Sequence, residues 1–496
     1  MKKAPCLAIL GTGSEVGKSV VATALCRYFV DKGIRTAPFK AQNMSNNSGV
    51  TPEGLEMGRA QIVQAEAAKI PPHVDMNPLL LKPTGDMGSQ VVLFGNAIAD
   101  SAAREYHRNK HILFSKVCEA LDRLRTTYDL IVMEGAGSCA EVNLAAGDIV
   151  NLPMAEYADA PVILVSDIHR GGVFAQIVGT LACLSNQQQK MIKGFIINRF
   201  QGDISLFVDG VHWIQEKTGK KVFGVIPWYD HIRIEAEDAV AIENPAAESK
   251  RDSGAPAIAV IRFPHISNFT DFDPLLDLEG IDVVFLKNPR DISHFKAIVL
   301  PGSKNTRWDL HWLQYSGWET LIKEYARVGG HILGICGGYQ MMGRFVHDTN
   351  GLEGAPGTTR GLDLLPVDTF LKSPKTTTRT LFLWENIQGE GYEIHMGETK
   401  RFSGNRLFKI QERNQAPCID EDGCISHDSK LMGTYLHGMF DSPAITQKWL
   451  NTIGLEYVQV PDKNRFKAKD TIYDRLALHF ERHMDMDAVM ELIQTI

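Results

Sequence analysis

Short apolar runs alternate with stretches of helical periodicity through the first half of the chain. Cys6–Leu10, Arg35–Phe39, Leu130–Met133, Val162–Val165, Gly194–Ile197 and Val222–Ile226 predict buried strands. Segments 18–32, 55–69, 109–126, 172–183 and 204–218 predict helices. Strands alternating with helices build a mostly parallel, doubly wound α/β sheet. The rhythm stops at 235–256, where Glu235-Ala236-Glu237-Asp238 leads into the polar stretch Glu243–Gly254. A linker is expected there, after a first domain at 1–234. A second alternation begins at Ala257, with strands at Ile258–Ile261, Val283–Leu286, Ile298–Leu300 and Ile332–Ile335 and helices at 308–328 and 338–346. From 360 to 440 the pattern turns to shorter strands and loops, completing a second α/β domain at 257–450. Residues 451–496 read as a helical tail, whose amphipathic stretch from about 467 is expected to pack on the second domain.

Composition narrows the function classes. A chain of 496 residues, 44% hydrophobic and 22% charged, is ordinary for globular proteins and is neither disordered nor fibrous. The 52 basic and 59 acidic side chains leave a net charge of −7, so nucleic acid is a poor default partner. The eight cysteines are sparse and unevenly spaced, which suits a reducing cytoplasm better than a disulfide framework. The apolar run after Lys2-Lys3 ends at Gly11 without a cleavage pattern, and no apolar stretch is long enough to span a membrane. Cys418, Cys424 and His427 lack the spacing of a zinc site. Small-molecule substrates are the expected partners.

The first strand runs into Gly11-Thr12-Gly13-Ser14-Glu15-Val16-Gly17-Lys18-Ser19, and a helix follows. Such a loop aims backbone N–H groups at phosphate oxygens, so Thr12, Gly13, Ser14, Glu15, Val16 and Gly17 are candidates to cradle a nucleotide. Lys18 would neutralise the terminal phosphates and the Ser19 hydroxyl would ligate Mg²⁺. Five residues separate Gly11 from Gly17, where the standard phosphate loop has four. Glu134, at the end of the strand Leu130–Met133, is the acidic group placed to bind Mg²⁺ directly or through water. Asn198 is a candidate reader of adenine, and Ser166–Gly172 is either a ligand loop or a plain connection. Amides concentrate at 39–48 and 56–68, with Lys40, Arg59 and Lys82 nearby. Lys40, Gln42, Asn43, Arg59, Gln61, Gln64 and Lys82 suit a substrate carrying several carboxylates. The alternative for Gln61 and Gln64, three apart on a helix, is a solvated face.

A second constellation lies downstream. The strand Ile332–Ile335 ends in Cys336-Gly337-Gly338-Tyr339-Gln340, where small neighbours permit the sharp strand-to-helix turn that exposes a nucleophile. His437, just past a short apolar strand, is the candidate base. Backbone N–H groups near Gly302 and Ser303, with that of Gly337, are candidates for an oxyanion hole.

The loop at 11–19 with Glu134-Gly135-Ala136-Gly137 resembles the dethiobiotin synthetase group of ATP-dependent carboxylate-activating enzymes. Phe39–Ser48, Glu56–Ala68 and Asp75–Thr84 are similar, within that group, to the cobyric acid synthase family. The second domain resembles the class I glutamine amidotransferases of the same branch, strengthened by Arg262–Leu275 and Gly391–Gly397. The resemblance implies ATP and Mg²⁺ as cofactors. It also implies a reaction in which glutamine-derived ammonia amidates four carboxylates of adenosylcobyrinic acid a,c-diamide, each activated as an acyl phosphate. Many class members carry Glu two residues after the histidine; here that position is Met439, so the apparatus reads as a Cys336–His437 dyad unless a carboxylate from elsewhere orients the imidazole. Two other readings stay open: cobyrinic acid a,c-diamide synthase, and a regulatory ATPase with an inactive amidotransferase-like module.

Overall fold

The computed structural model describes residues 3–85, 88–229, 232, 234–235, 254–461 and 465–494. Most of the linker expected at 235–256, namely 236–253, lies outside the described residues. Six parallel strands form the first sheet in the order Lys221–Pro227, Ile192–Phe200, Val162–Asp167, Cys6–Gly11, Leu130–Glu134 and Thr36–Phe39. Their continuous apolar sequences follow from burial on both faces. Along the first strand Cys6, Ala8 and Leu10 face one core with Val117, Leu121 and Ile177, whereas Leu7 and Ile9 face another with Val21, Leu25 and Phe29.

The second sheet runs Asp282–Leu286, Ala257–Ile261, Ala297–Leu300, His331–Ile335, Leu431–Thr434 and Cys424–Ile425, parallel except for the last strand. Two four-stranded sheets built from 345–422 extend it. In both large sheets the candidate chemistry sits past the carboxyl ends of the strands, where open α/β sheets bind ligands.

The expected strands are all present, mostly lengthened by one to three residues. Four expectations need correction. The helix expected at 308–328 is two helices, Thr306–Ser316 and Trp318–Arg327, because Gly317 at φ +91° breaks the ladder between them. The helix at 338–346 stops at Met342, and Phe345–Asp348 is already a strand. The helix at 55–69 starts at Arg59, since Glu56–Gly58 pairs antiparallel with Ser48–Val50. The amphipathic stretch of the tail packs on the first domain rather than the second: Leu476, Phe480 and Val489 share the core of Leu7, Ile9 and Val21, whereas Ile453, Leu455 and Val458 belong to the second domain's core. Asp470 and Asp474 there meet the buried Arg27 guanidinium at 2.6 and 2.5 Å, adding to its pairing with Asp31 at 3.3 Å.

A further sheet, parallel in its first pair and antiparallel in the other two, is inserted in the first domain and was not read from the sequence. It runs Gln42–Met44, Leu79–Gly85, Gly88–Leu93, Asn96–Ala102. Together with Ser48–Val50 it faces the second domain. Ser48 O accepts from Asn268 Nδ2 at 2.8 Å, Asn47 Oδ1 from Thr270 Oγ1 at 3.0 Å, and Thr84 O from Asn305 Nδ2 at 3.3 Å.

Phe480→Ala is expected to destabilise the protein by about 3–5 kcal/mol, read by urea unfolding, because it empties a core site shared by tail and sheet. Leu206→Ala, at a side chain 83% exposed, is expected to change stability by less than about 0.5 kcal/mol.

Candidate functional site

The loop after the first strand delivers its helix N-terminus to a cleft of about 1190 Å³. Gly17 takes φ +98° as the N-cap of Lys18–Asp31, and a Cβ there would lie 2.1 Å from Asn198 Nδ2, so only glycine fits. Lys18 Nζ donates to the carbonyls of Gly13 and Gly137, both at 2.8 Å, which arches the lysine over the loop. Ser14, Glu15, Gly17, Lys18 and Ser19 line the cleft. Thr12 turns away, its hydroxyl donating to Ser166 Oγ at 3.0 Å, and Val16 packs in the core. Asn198 Nδ2 donates to Val16 O at 2.8 Å, which makes it a support of the loop. Its Oδ1 is buried with no hydrogen-bond partner among the described residues, so it stays a candidate acceptor for an adenine amino group.

Glu134 is the hub of this centre. Its Oε1 accepts from Ser19 Oγ at 2.8 Å and from Lys40 Nζ at 2.9 Å; its Oε2 accepts from Gln64 Nε2 at 2.5 Å, with Gln61 Nε2 at 3.4 Å. Asn43 Nδ2 donates in turn to Gln61 Oε1 at 3.0 Å. Gln61 and Gln64 are fully buried, which excludes the solvated helix face. The buried Gln64 Oε1 has no partner among the described residues. A hydroxyl and a carboxylate oxygen side by side at the foot of a phosphate loop are hard donors that fit Mg²⁺, which takes one or two carboxylates together with substrate phosphates. Lys40, Gln42 and Asn43 line the same cleft. Two expected carboxylate binders stand elsewhere. Arg59 is locked to Glu235 at 2.5 Å, and Lys82 enters a separate cavity with Cys336, because its strand continues past the end of Gln42–Met44 toward the second domain.

The second centre forms where three strands of the second sheet end. Cys336 caps the helix Gly337–Met342 with φ +51° and ψ −108°, a sparsely populated conformation for a non-glycine residue, held by the surrounding packing. A Cβ on Gly338 would lie 1.9 Å from Leu300 O, so a side chain there would break the elbow. One on Gly337 would lie 2.8 Å from Ser303 N, and one on Gly302 3.0 Å from His437 Cε1. Gly337 thus lies against Ser303 and Gly302 against His437, and Ser303 lines the cavity of Cys336, so the three stay candidates for an oxyanion hole. Ser303 Oγ is fixed on Asp309 Oδ2 at 2.5 Å.

His437 resolves the question of its orienter. Its Nδ1 lies 2.7 Å from Asp271 Oδ2, the other oxygen of which accepts from Gly438 N at 3.0 Å, and Cys336 neighbours the imidazole. The arrangement is a Cys336–His437–Asp271 triad. Burial works against the imidazolium, but Asp271 and the cysteine sulfur outweigh it and push His437 up to about 10. Asp271 lay inside the stretch Arg262–Leu275 that carried the family resemblance, yet nothing local marked it as the partner of a histidine 166 residues away.

The comparisons agree with both halves. Residues 7–240 match the CobQ/CobB/MinD/ParA nucleotide binding domain and 257–445 the CobB/CobQ-like glutamine amidotransferase domain. The chain is 52% identical to a cobyric acid synthase of Chlorobium phaeobacteroides (strain BS1), over 98% of this chain and 99% of that one. It is 47% identical to the cobyric acid synthase of Chlorobaculum tepidum, over 98% and 97%. It is 43% identical to that of Syntrophobacter fumaroxidans, over 98% of both chains.

Histidine titration followed by NMR is expected to put His437 near 10 in the native protein and closer to 6.5 in Asp271→Asn. Because the folded-state value lies above the ordinary one, the stabilisation is complete below pH 6.5 and is lost as pH rises toward 10. In Asp271→Asn that pH-dependent loss is expected to shrink.

Proposed function

The chain belongs to the cobyric acid synthase family of ATP-dependent amidotransferase ligases, and on that premise we propose that it amidates the b, d, e and g carboxylates of adenosylcobyrinic acid a,c-diamide. Glutamine supplies the nitrogen and ATP the driving force. The two catalytic units are residues 1–234 and 257–450, with 451–496 as a tail.

In the amidotransferase half, Cys336 sulfur attacks the glutamine carboxamide carbon. The oxyanion that forms is met by backbone N–H groups at Ser303 and Gly337, beside Gly302. His437 protonates the departing nitrogen, and ammonia leaves a thioester on sulfur. His437 then takes a proton from water, which displaces the sulfur and releases glutamate. Asp271 holds the imidazole in one orientation throughout and offsets its charge.

In the synthetase half, Lys18 draws negative charge off the transferring phosphate while the loop amides fix it in line with the substrate carboxylate. Ser19 and Glu134 would hold Mg²⁺, which supplies charge neutralisation on the phosphates when bound. Lys40 and the amides of Gln42 and Asn43 hold carboxylates of the substrate at the mouth of the cleft. The carboxylate becomes an acyl phosphate, ammonia attacks its carbonyl, and phosphate leaves. Ammonium has no lone pair for that attack, so ammonia passes between the domains without equilibrating with water. Among the described residues no helix is long and apolar enough to cross a membrane, in keeping with a proposed cytoplasmic setting.

The single observation that carries this reading is the Cys336–His437–Asp271 triad in the same chain as the Lys18–Ser19–Glu134 cleft. Mass spectrometry of the corrin after incubation with ATP, Mg²⁺ and glutamine is expected to find four added amides. Cys336→Ala is expected to add none with glutamine and four with ammonia. Glu134→Gln is expected to lose about 10²-fold or more with either nitrogen source. Two amides on cobyrinic acid would identify the sister enzyme instead, and no amide on either corrin would overturn the reading.

A further inference from the structure

The cavity that holds Cys336 is not built by the amidotransferase half alone. Its lining includes Lys82, from the inserted sheet of the first domain, and Lys375, from the second. Glu56 lies between them, with Oε1 2.7 Å from Lys82 Nζ and Oε2 2.7 Å from Lys375 Nζ. Ser48 Oγ accepts from Lys82 at 2.8 Å. All three charged side chains are buried, at 3%, 1% and 8% exposure for Lys82, Glu56 and Lys375. Among the described residues, two ammonium groups thus share one carboxylate. The surplus positive charge has been taken out of water, which is unfavourable until an anion joins it. The strain registers on Lys82, which burial and its neighbour Lys375 push down to about 7 against the pull of Glu56. Lys304 and Glu353 are the other charged residues of the lining, and Glu353 accepts from the Arg307 amide at 3.0 Å.

We propose that Lys82 and Lys375, bridged by Glu56, bind the α-carboxylate of glutamine, so that the synthetase half supplies part of the glutamine site. The inference rests on the reading of Cys336 as the glutamine nucleophile. With the carboxamide at Cys336, the anion that must enter this cavity is the α-carboxylate at the far end of the same short molecule. It completes the charge balance of the cluster. It also makes glutamine binding depend on the docking of the two domains, because Lys82, Glu56 and Ser48 come from one side and Cys336 and Lys375 from the other.

The test is steady-state hydrolysis by the full-length protein of glutamine and of 4-aminobutanamide, which is glutamine without its α-carboxylate. The wild type is expected to favour glutamine by about 10²-fold or more in kcat/KM, the scale of losing charge-assisted hydrogen bonds. Lys82→Met is expected to raise KM for glutamine by about 10-fold or more with kcat little changed, and to shrink the preference over the analogue to under about 10-fold. Lys82→Arg is expected to keep most of it. Lys375→Met makes the same test from the other domain should Lys82→Met fold poorly. An undiminished preference in both methionine variants overturns this proposal and leaves the amidotransferase reading standing. So does a loss that falls equally on ammonia-dependent amidation, since that would put Lys82 in the synthetase reaction. A wild type that hydrolyses no glutamine, with Cys336 intact, overturns the parent reading and this proposal with it.

Discussion

The turn Ser267–Phe272 makes one enzyme out of two domains. Asn268, at φ +52°, reverses the chain so that neighbouring side chains face different partners. Asn268 and Thr270 reach across to Ser48 and Asn47 of the first domain at 2.8 and 3.0 Å. Asp271, from the same turn, holds His437 at 2.7 Å. Docking the domains and orienting the histidine proposed as the base are therefore one event for a loop only a few residues long. Tyr392 reinforces the link: it exchanges both backbone hydrogen bonds with His437, and its hydroxyl accepts from Asn268 at 3.0 Å.

On the other side of that contact the chain is unusually polar for its depth. Asn43, Asn47, Ser48, Glu56, Gln61, Gln64 and Glu134 are all buried. Buried amides and carboxylates persist where they find partners, and here most pair across short segments, Ser48 with Glu56, Asn43 with Gln61 and Gln64 Nε2 with Glu134, while Gln64 Oε1 stays unpaired among the described residues. Asn43 and Glu134 line the nucleotide cleft, whereas Lys82, which donates to Ser48, lines the cavity of Cys336. A partition a few residues thick thus separates the two centres, and the proposed reaction requires only ammonia to cross it.

What the sequence disclosed was what is local. The phosphate loop, the Cys336 elbow and the strand-end Glu134 each declare themselves within ten residues, because backbone turns and strand ends are short-range geometry. The parallel strands were legible because burial on both faces forces unbroken apolar runs. Long-range pairings were not. Asp271 joins Cys336 and His437 in a triad only when a turn 166 residues before the histidine folds against it, and the absence of a nearby glutamate suggested a dyad. Lys82 looked like one more cation of a carboxylate site until the register of its strand carried it to the other centre. The tail has an amphipathic stripe, but a stripe does not say which sheet it covers; Asp470 and Asp474 choose the one that buries Arg27. The break at Gly317 was lost in a periodicity that continues on both sides of it.

Coupling of the two proposed half-reactions depends on nitrogen moving from Cys336 to the activated carboxylate inside the protein. Amidation with glutamine labelled at the amide nitrogen with ¹⁵N, in a large excess of unlabelled ammonium, tests that directly by mass spectrometry of the corrin. Product amides are expected to carry the label with little dilution. Label diluted to the composition of the bulk ammonium pool would contradict that coupling, because the two centres would then be separate catalysts that merely share a chain.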